Sequence, residues 1–237
     1  MKLTDVSAEL ARDLAGLEFS PPAAYVYNPL AYARAPHDRY LERYGGGGKE
    51  ALFVGMNPGP WGMAQTGVPF GAVTPVRDWL GLGGEAVGRP PREHPKRPVE
   101  GFACRREEVS GRRIWGWAQA AFGTPERFFA RFFIGNYCPL LFLDEGGRNL
   151  TPDKLKAADR EALLPPCDRA LRRVAEALGV RRVIGVGVWA EQRARAALAG
   201  LDVTIGRVLH PSPASPAANR GWAEAATREL AAMGIEL

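Results

Sequence analysis

The chain has 237 residues, 46% hydrophobic and 24% charged, which excludes a wholly disordered or collagen-like chain and allows one large domain or two small ones. No stretch approaches the roughly 18 uninterrupted apolar residues of a membrane-spanning helix, and the opening MKLTDVSAEL carries Asp5 and Glu9 where a secretory leader needs an apolar run. The 31 basic and 26 acidic residues leave a formal charge of +5, which permits a polyanionic partner without establishing one.

In chain order, Gly45–Gly48 is a flexible lead into the first of four short apolar runs: Ala51–Gly55, Arg131–Asn136, Arg182–Val186 and Val203–Leu209. Each has strand length and little alternation, as strands buried on both faces do. Between the first two, Gly83–Arg113 is rich in Pro and Gly and holds eight basic and five acidic residues. It reads as a long excursion, either a solvated loop or a functional one. Cys167, Leu171, Val174 and Leu178 share one helical face, with Gly179 placed to end the helix. Trp189–Leu198 is a second helix, followed by Gly200. Trp222, Ala226, Leu230 and Met233 mark a third, with Ser215 and Pro216 supplying an N-cap and an N1 proline upstream. Strands alternating with helices predict βαβ crossovers. The expected fold is a single α/β domain over residues 1–237, a three-layer α/β/α sandwich with a four-stranded parallel central sheet.

The three cysteines, Cys104, Cys138 and Cys167, form no C-x-x-C pair and are one short of the four thiolates of an iron–sulfur cluster. A reducing, cytoplasmic location is expected, nucleoid-associated in a bacterium, with no metal and no cofactor. His37 and His94 lie away from the strand ends and read as structural.

In an open parallel sheet, ligands bind beyond the carboxyl ends of the strands. Three of the four ends here carry unusual polar residues. The first strand runs into Gly55-Met56-Asn57-Pro58-Gly59-Pro60-Trp61-Gly62-Met63-Ala64-Gln65-Thr66-Gly67-Val68-Pro69-Phe70-Gly71, the second into Gly135-Asn136-Tyr137-Cys138-Pro139, the fourth into His210-Pro211-Ser212-Pro213-Ala214-Ser215-Pro216. The first loop lacks the G-x-x-x-x-G-K-[ST] and G-x-G-x-x-G patterns, and its prolines remove amide donors that a phosphate cradle needs.

The stretch Gly55–Gly71 resembles the first motif of the uracil-DNA glycosylase superfamily, and in detail that of the single-strand-selective monofunctional uracil-DNA glycosylases (family 3). Asn136 in its strand-end loop, His210–Trp222, His94–Val99 and Glu108–Gly111 fit the same family, so the resemblance covers roughly residues 20 to 235. It implies a glycosylase that flips uracil out of DNA, hydrolyses the N-glycosidic bond and leaves an abasic site. A monomer acting on single- or double-stranded DNA, with no membrane partner, is expected.

The implied roles have physical content. Phe70 would stack on the flipped base, and the Asn136 carboxamide would donate to uracil O4 and accept from N3–H, a polarity cytosine reverses. Asn57 would position the attacking water; the general uracil-DNA glycosylases carry Asp there, which suggests a slower or differently tuned step, not an inactive one. His210 would stabilise charge developing at uracil O2. The backbone amides of Met56 and Phe70 would add contacts to the base. Gly59 stands where the general enzymes have a bulky Tyr that excludes 5-substituted bases, which implies 5-hydroxymethyluracil-type substrates besides uracil; Met63 is a further candidate for that wall. Pro211, Ser212, Pro213, Ala214, Ser215 and Arg220 resemble the wedge that enters the duplex, with Pro213 and Ala214 at its tip. Some relatives carry Arg in place of Ala214. No lysine stands at these strand ends to form a Schiff base, so no lyase step is expected. Two other readings share these residues: a mismatch-directed uracil/thymine-type glycosylase of the same superfamily, and a catalytically weak sensor of uracil or abasic DNA.

Overall fold

The computed structural model describes residues 1–237. In chain order its elements are α1 (Leu3–Ala15), β1 (Tyr25–Tyr27), α2 (Pro29–Tyr32), α3 (Arg34–Tyr44), β2 (Ala51–Gly55), α4 (Met63–Thr66), α5 (Val109–Phe122), α6 (Pro125–Arg131), β3 (Phe132–Asn136), β4 (Leu141–Leu143), β5 (Asn149–Leu150), α7 (Ala157–Leu178), β6 (Arg182–Val186), α8 (Val188–Ala197), β7 (Thr204–Val208), α9 (Pro216–Asn219) and α10 (Trp222–Ala232). No helix is long and apolar enough to cross a membrane.

The four apolar runs are the four strands of a parallel sheet ordered β3-β2-β6-β7. The register places Gly55 opposite Asn136 at the carboxyl edge of the β2–β3 pair and Val186 opposite Val208 at that of β6–β7. Every residue of β2 is buried, which is why the run shows no alternation. Its side chains still divide between two faces. Leu52 and Val54 point with Phe133 into a cavity lined by Leu3 and Leu10 of α1 and Leu171 of α7. Phe53 lies edge-on to Trp117 of α5 and to Phe132. The sheet is thus sandwiched between an α1–α7–α8 layer and an α5–α6–α10 layer, the three-layer architecture expected from periodicity.

Several elements differ from the sequence reading. The helix expected from Cys167 starts ten residues earlier and runs through Pro165 and Pro166. Interior prolines cost about 3 kcal/mol or more each, but Leu163, Cys167, Ala170 and Leu171 are buried on this helix, which packs along α1 and α8, and packing outweighs local propensity. Gly179 ends it in the left-handed conformation (φ 65°), as expected. Ser215 caps Ala218 N as foreseen, but α9 is one turn long, and the Trp222 helix begins anew after Gly221 (φ 128°).

A second, antiparallel sheet, β1-β4-β5, went unseen because strands of two and three residues carry no periodic signal. The excursion is neither free nor continuous. Its last residues already belong to α5, and the rest is pinned. The fully buried Gln65 donates to Pro60 O (2.9 Å) and Pro98 O (3.0 Å) and accepts from Glu100 N (2.8 Å) and Gly101 N (3.1 Å). Tyr27 Oη donates to Arg97 O (2.9 Å) and accepts from His94 N (2.6 Å).

Candidate active site

The carboxyl ends of β2, β3 and β7 open into a cleft of about 380 Å³, within the size range of small-ligand sites. Asn57, Phe70, Asn136 and His210 all line it, with Met56, Gly59, Met63, Ser212 and Pro213. Asn57 and His210, 153 positions apart, converge because their strands belong to one parallel sheet.

Asn57 follows β2. Its Nδ2 donates to Leu140 O (3.2 Å) and Leu150 O (3.4 Å), with a longer contact to Pro58 O (3.5 Å). All three partners are acceptors, so the amide orientation is forced. Oδ1 receives no donor from the protein and is left as an unused acceptor on a residue that lines the cleft. Leu140 adjoins β4 and Leu150 belongs to β5, so the second sheet sets the pose of Asn57.

Phe70 is the one non-glycine residue with positive φ (54°). That backbone state is costly for a bulky side chain and persists where its surroundings over-determine it. Here the Trp115 indole N–H (3.0 Å) and Ala72 N (2.8 Å) both donate to Phe70 O. The ring lies over Gly55, where a Cβ would collide with both the Phe70 ring and Asn136 Oδ1. A Cβ on Gly111 of α5 would likewise strike Phe70 O.

Asn136 ends β3, with Nδ2 3.4 Å from Met63 Sδ. A thioether is a weak acceptor, so the amide is steered without being saturated. Met63 is buried and acts on this geometry through Asn136. The N–H groups of Met56 and Phe70 donate to no acceptor in the protein. A Cβ placed on Gly59 would meet nothing within 4 Å, so the cleft is open there.

His210 follows β7. Its Nδ1 lies 3.1 Å from Ser212 N, which can only donate. Nδ1 is therefore the acceptor and Nε2 carries the proton. Burial holds the His210 pKa below its ordinary value of 6.5, so at neutral pH the ring is an uncharged donor. It packs on Gly187, where a Cβ would come within 3.1 Å of His210 Cβ.

The wedge candidates divide by exposure. Pro213, Ala214 and Arg220 are exposed, Ser212 and Ser215 partly so, and Pro211 is buried. Ser212 Oγ accepts from Ala214 N (3.1 Å) and Ser215 Oγ from Ala218 N (3.3 Å), so both hydroxyls shape the loop. His37 and His94 are buried, bonded through Nδ1 to Gly67 O (2.8 Å) and through Nε2 to Glu145 O (3.0 Å), in keeping with structural roles.

Sequence reasoning missed three residues and the role of a fourth, Glu108. Asn149 and Thr151 reach the cleft from the second sheet and the residue after it. Glu108 also lines it and caps α5 by accepting from Ser110 N (3.3 Å) and Gly111 N (2.5 Å); burial pushes its pKa above the ordinary 4.5. Arg113 of α5 ties down the wedge: Nη1 donates to Pro211 O (2.9 Å) and Ser212 O (3.3 Å), and Nη2 to Asn219 Oδ1 (2.7 Å). Asn219 Nδ2 in turn donates to Pro213 O (2.9 Å). Glu108–Gly111 stands out in the sequence only through the family resemblance, and a contact between residues about a hundred positions apart leaves no local signal.

No protein-family model matches the chain. It is 56% identical over 228 residues to the single-strand selective monofunctional uracil-DNA glycosylase of Rattus norvegicus, covering 95% of this chain and 82% of that protein. It is 56% identical over 225 residues to the Bos taurus protein of the same name, covering 94% and 82%. The crystal structure of wild-type Pedobacter heparinus SMUG2 superimposes with a TM-score of 0.68 at 19% identity, covering 99% of this chain and 97% of that one; at that identity the likeness concerns the fold.

Proposed function

Because the chain belongs to the single-strand-selective monofunctional uracil-DNA glycosylase family, we infer that it excises uracil from DNA by hydrolysing the N-glycosidic bond, as a step of base excision repair. The observation that carries this reading is one cleft holding Asn57, Phe70, Asn136 and His210, each with its polar atoms left in the state the chemistry requires.

Uracil leaves the stack at a cost of a few kcal/mol. Phe70 takes one face of the flipped base. The Asn136 amide donates to O4 and accepts from N3–H, and the free N–H groups of Met56 and Phe70 supply further donors. As the glycosidic bond breaks, the electron pair passes to the base and the sugar becomes an oxocarbenium-like electrophile. His210 Nε2–H donates to uracil O2, where negative charge collects, and a neutral donor suffices because a preformed dipole in a partly dry site needs no reorganisation. Asn57 Oδ1 accepts a hydrogen bond from the incoming water and aims the water's lone pair at C1′ of the sugar; as the new C–O bond forms, the proton released passes to solvent and the departed uracil anion is protonated in turn. An amide is a poor base, but positioning matters more than proton abstraction against so strong an electrophile. No lysine lines the cleft, so an attached imine has no nucleophile there and the product is an intact abasic strand.

The open space at Gly59 supports acceptance of small polar 5-substituents, such as that of 5-hydroxymethyluracil, beside uracil. Three buried free thiols support a reducing, cytoplasmic location, and the reading includes a monomer.

A single-turnover assay on a uracil-containing oligonucleotide tests the reading. Release of free uracil is expected. Asn57→Ala and His210→Leu are each expected to slow the step by about 10²–10³-fold or more, the scale of losing a positioned group or an oxyanion donor. Tight binding without release would make the protein a sensor instead.

A further inference from the structure

Trp61 lies between Pro60 and Gly62, both of which line the cleft, yet the residue is partly exposed and takes no part in the site described above. Two guanidinium groups from the excursion flank it. Arg97 Cζ and Arg106 Cζ each stand 5.3 Å from the centre of the indole. Neither arginine has a carboxylate within ion-pairing distance, although many of the protein's arginines do, among them Arg77 and Arg112 nearby. Arg97 donates through Nη1 to Lys96 O (2.9 Å), while its buried Nε has no partner; Arg106 makes no side-chain hydrogen bond.

The arrangement is built, not incidental to a flexible loop. One amide nitrogen, Gln65 Nε2, holds the carbonyl before Trp61 (Pro60 O, 2.9 Å) and the carbonyl after Arg97 (Pro98 O, 3.0 Å). The ring and its first cation are thereby fixed to a common buried anchor. Two cations with no carboxylate partner beside a partly exposed aromatic residue, itself between two cleft residues in the chain, match a nucleic-acid strand: phosphates meet the charges and a base meets the ring.

We propose that Trp61, Arg97 and Arg106 form a second DNA contact, which holds a nucleotide flanking the flipped uracil on the same strand. This rests on the uracil-DNA reading and extends it, since it commits the excursion to a stretch of unpaired strand outside the cleft. A flanking base splayed onto the indole is available in single-stranded DNA and is stacked away in a duplex, so the contact favours single-stranded substrate.

The test is binding of the full chain to a single-stranded oligonucleotide carrying a non-hydrolysable deoxyuridine analogue, across a salt series, with single-turnover uracil release measured in parallel. Removing two phosphate contacts on single-stranded DNA lowers the slope of log K against log salt by about 1.4, and R97A/R106A is expected to show that loss. R97K/R106K is expected to keep the slope, which separates charge from folding. W61A is expected to weaken binding by about 5- to 100-fold with the slope unchanged, as for one lost base stack. Trimming the flanks of the oligonucleotide should weaken the wild type and not the triple variant. An unchanged slope in R97A/R106A together with unchanged affinity in W61A, in preparations where the wild type releases uracil, would overturn the proposal. Failure of the wild type to release uracil would overturn the underlying reading instead.

Discussion

At the level of single residues, the site works by leaving chosen atoms unsatisfied. Asn57 has its donor consumed and its acceptor free; His210 has its acceptor consumed and its donor free. Asn136 keeps both capacities, because Met63 Sδ is a weak partner. Asn136→Asp replaces the O4 donor with an acceptor. Uracil excision is expected to fall by about 10- to 100-fold, the scale of one or two mismatched buried polar groups, and the ratio of cytosine to uracil release to rise. Unchanged uracil kinetics in single turnover would remove Asn136 from recognition. Gly59→Tyr meets open space in the folded protein, so the melting temperature should hold. Release of 5-hydroxymethyluracil should fall more than release of uracil; equal losses would place the 5-position elsewhere.

Among the elements, α5 organises the site from beneath. Its N-cap Glu108 packs on Gly62, Gly111 in its first turn abuts Phe70 O, Trp115 holds Phe70 O, and Arg113 grips the wedge loop. Arg113 is a positioning residue, since it touches backbone carbonyls of Pro211 and Ser212 and not the cleft interior. A shift of about 1 Å at a reacting group can cost roughly 10²-fold. Arg113→Ala is therefore expected to lower the single-turnover rate at saturating enzyme by about 10- to 100-fold. Asn219→Ala should act through the same loop, so the double variant should lose much less than the product of the two. Multiplying losses would show that the residues act independently. Helix periodicity revealed none of this, because the α5 residues that matter are defined by what they reach across the fold.

For the whole molecule, pH acts through histidines held neutral by burial. His37 and His210 both have pKa values pushed below 6.5 by desolvation. Below about pH 6.5 the unfolded chain takes up protons that the folded chain resists, so folding stability falls as pH drops through that window toward the folded pKa values. Above it both states are neutral, and these residues add no slope. Glu108, pushed above 4.5, acts in the opposite sense from that value upward. Comparing wild type with His210→Gln cancels the other groups. The acid-side loss of stability, read from denaturant unfolding at a series of pH values, should be shallower in the variant; parallel curves would contradict a depressed His210.

Sequence by itself determined the four central strands, their parallel arrangement and the strand-end residues that meet in the cleft. Hydrophobic runs report burial directly, and in a parallel sheet the residues just past each strand must share one edge. The long Gly55–Gly71 motif likewise carried its family in its own residues. Tertiary structure alone decided how those residues are aimed. Asn57 takes its pose from carbonyls of a second sheet too short to leave a pattern, Phe70 is held in a left-handed backbone by an indole 45 positions away, and the wedge is fastened by an arginine about a hundred residues upstream. Local sequence encodes which faces are buried; the direction of a polar side chain depends on partners that only the folded chain brings within reach.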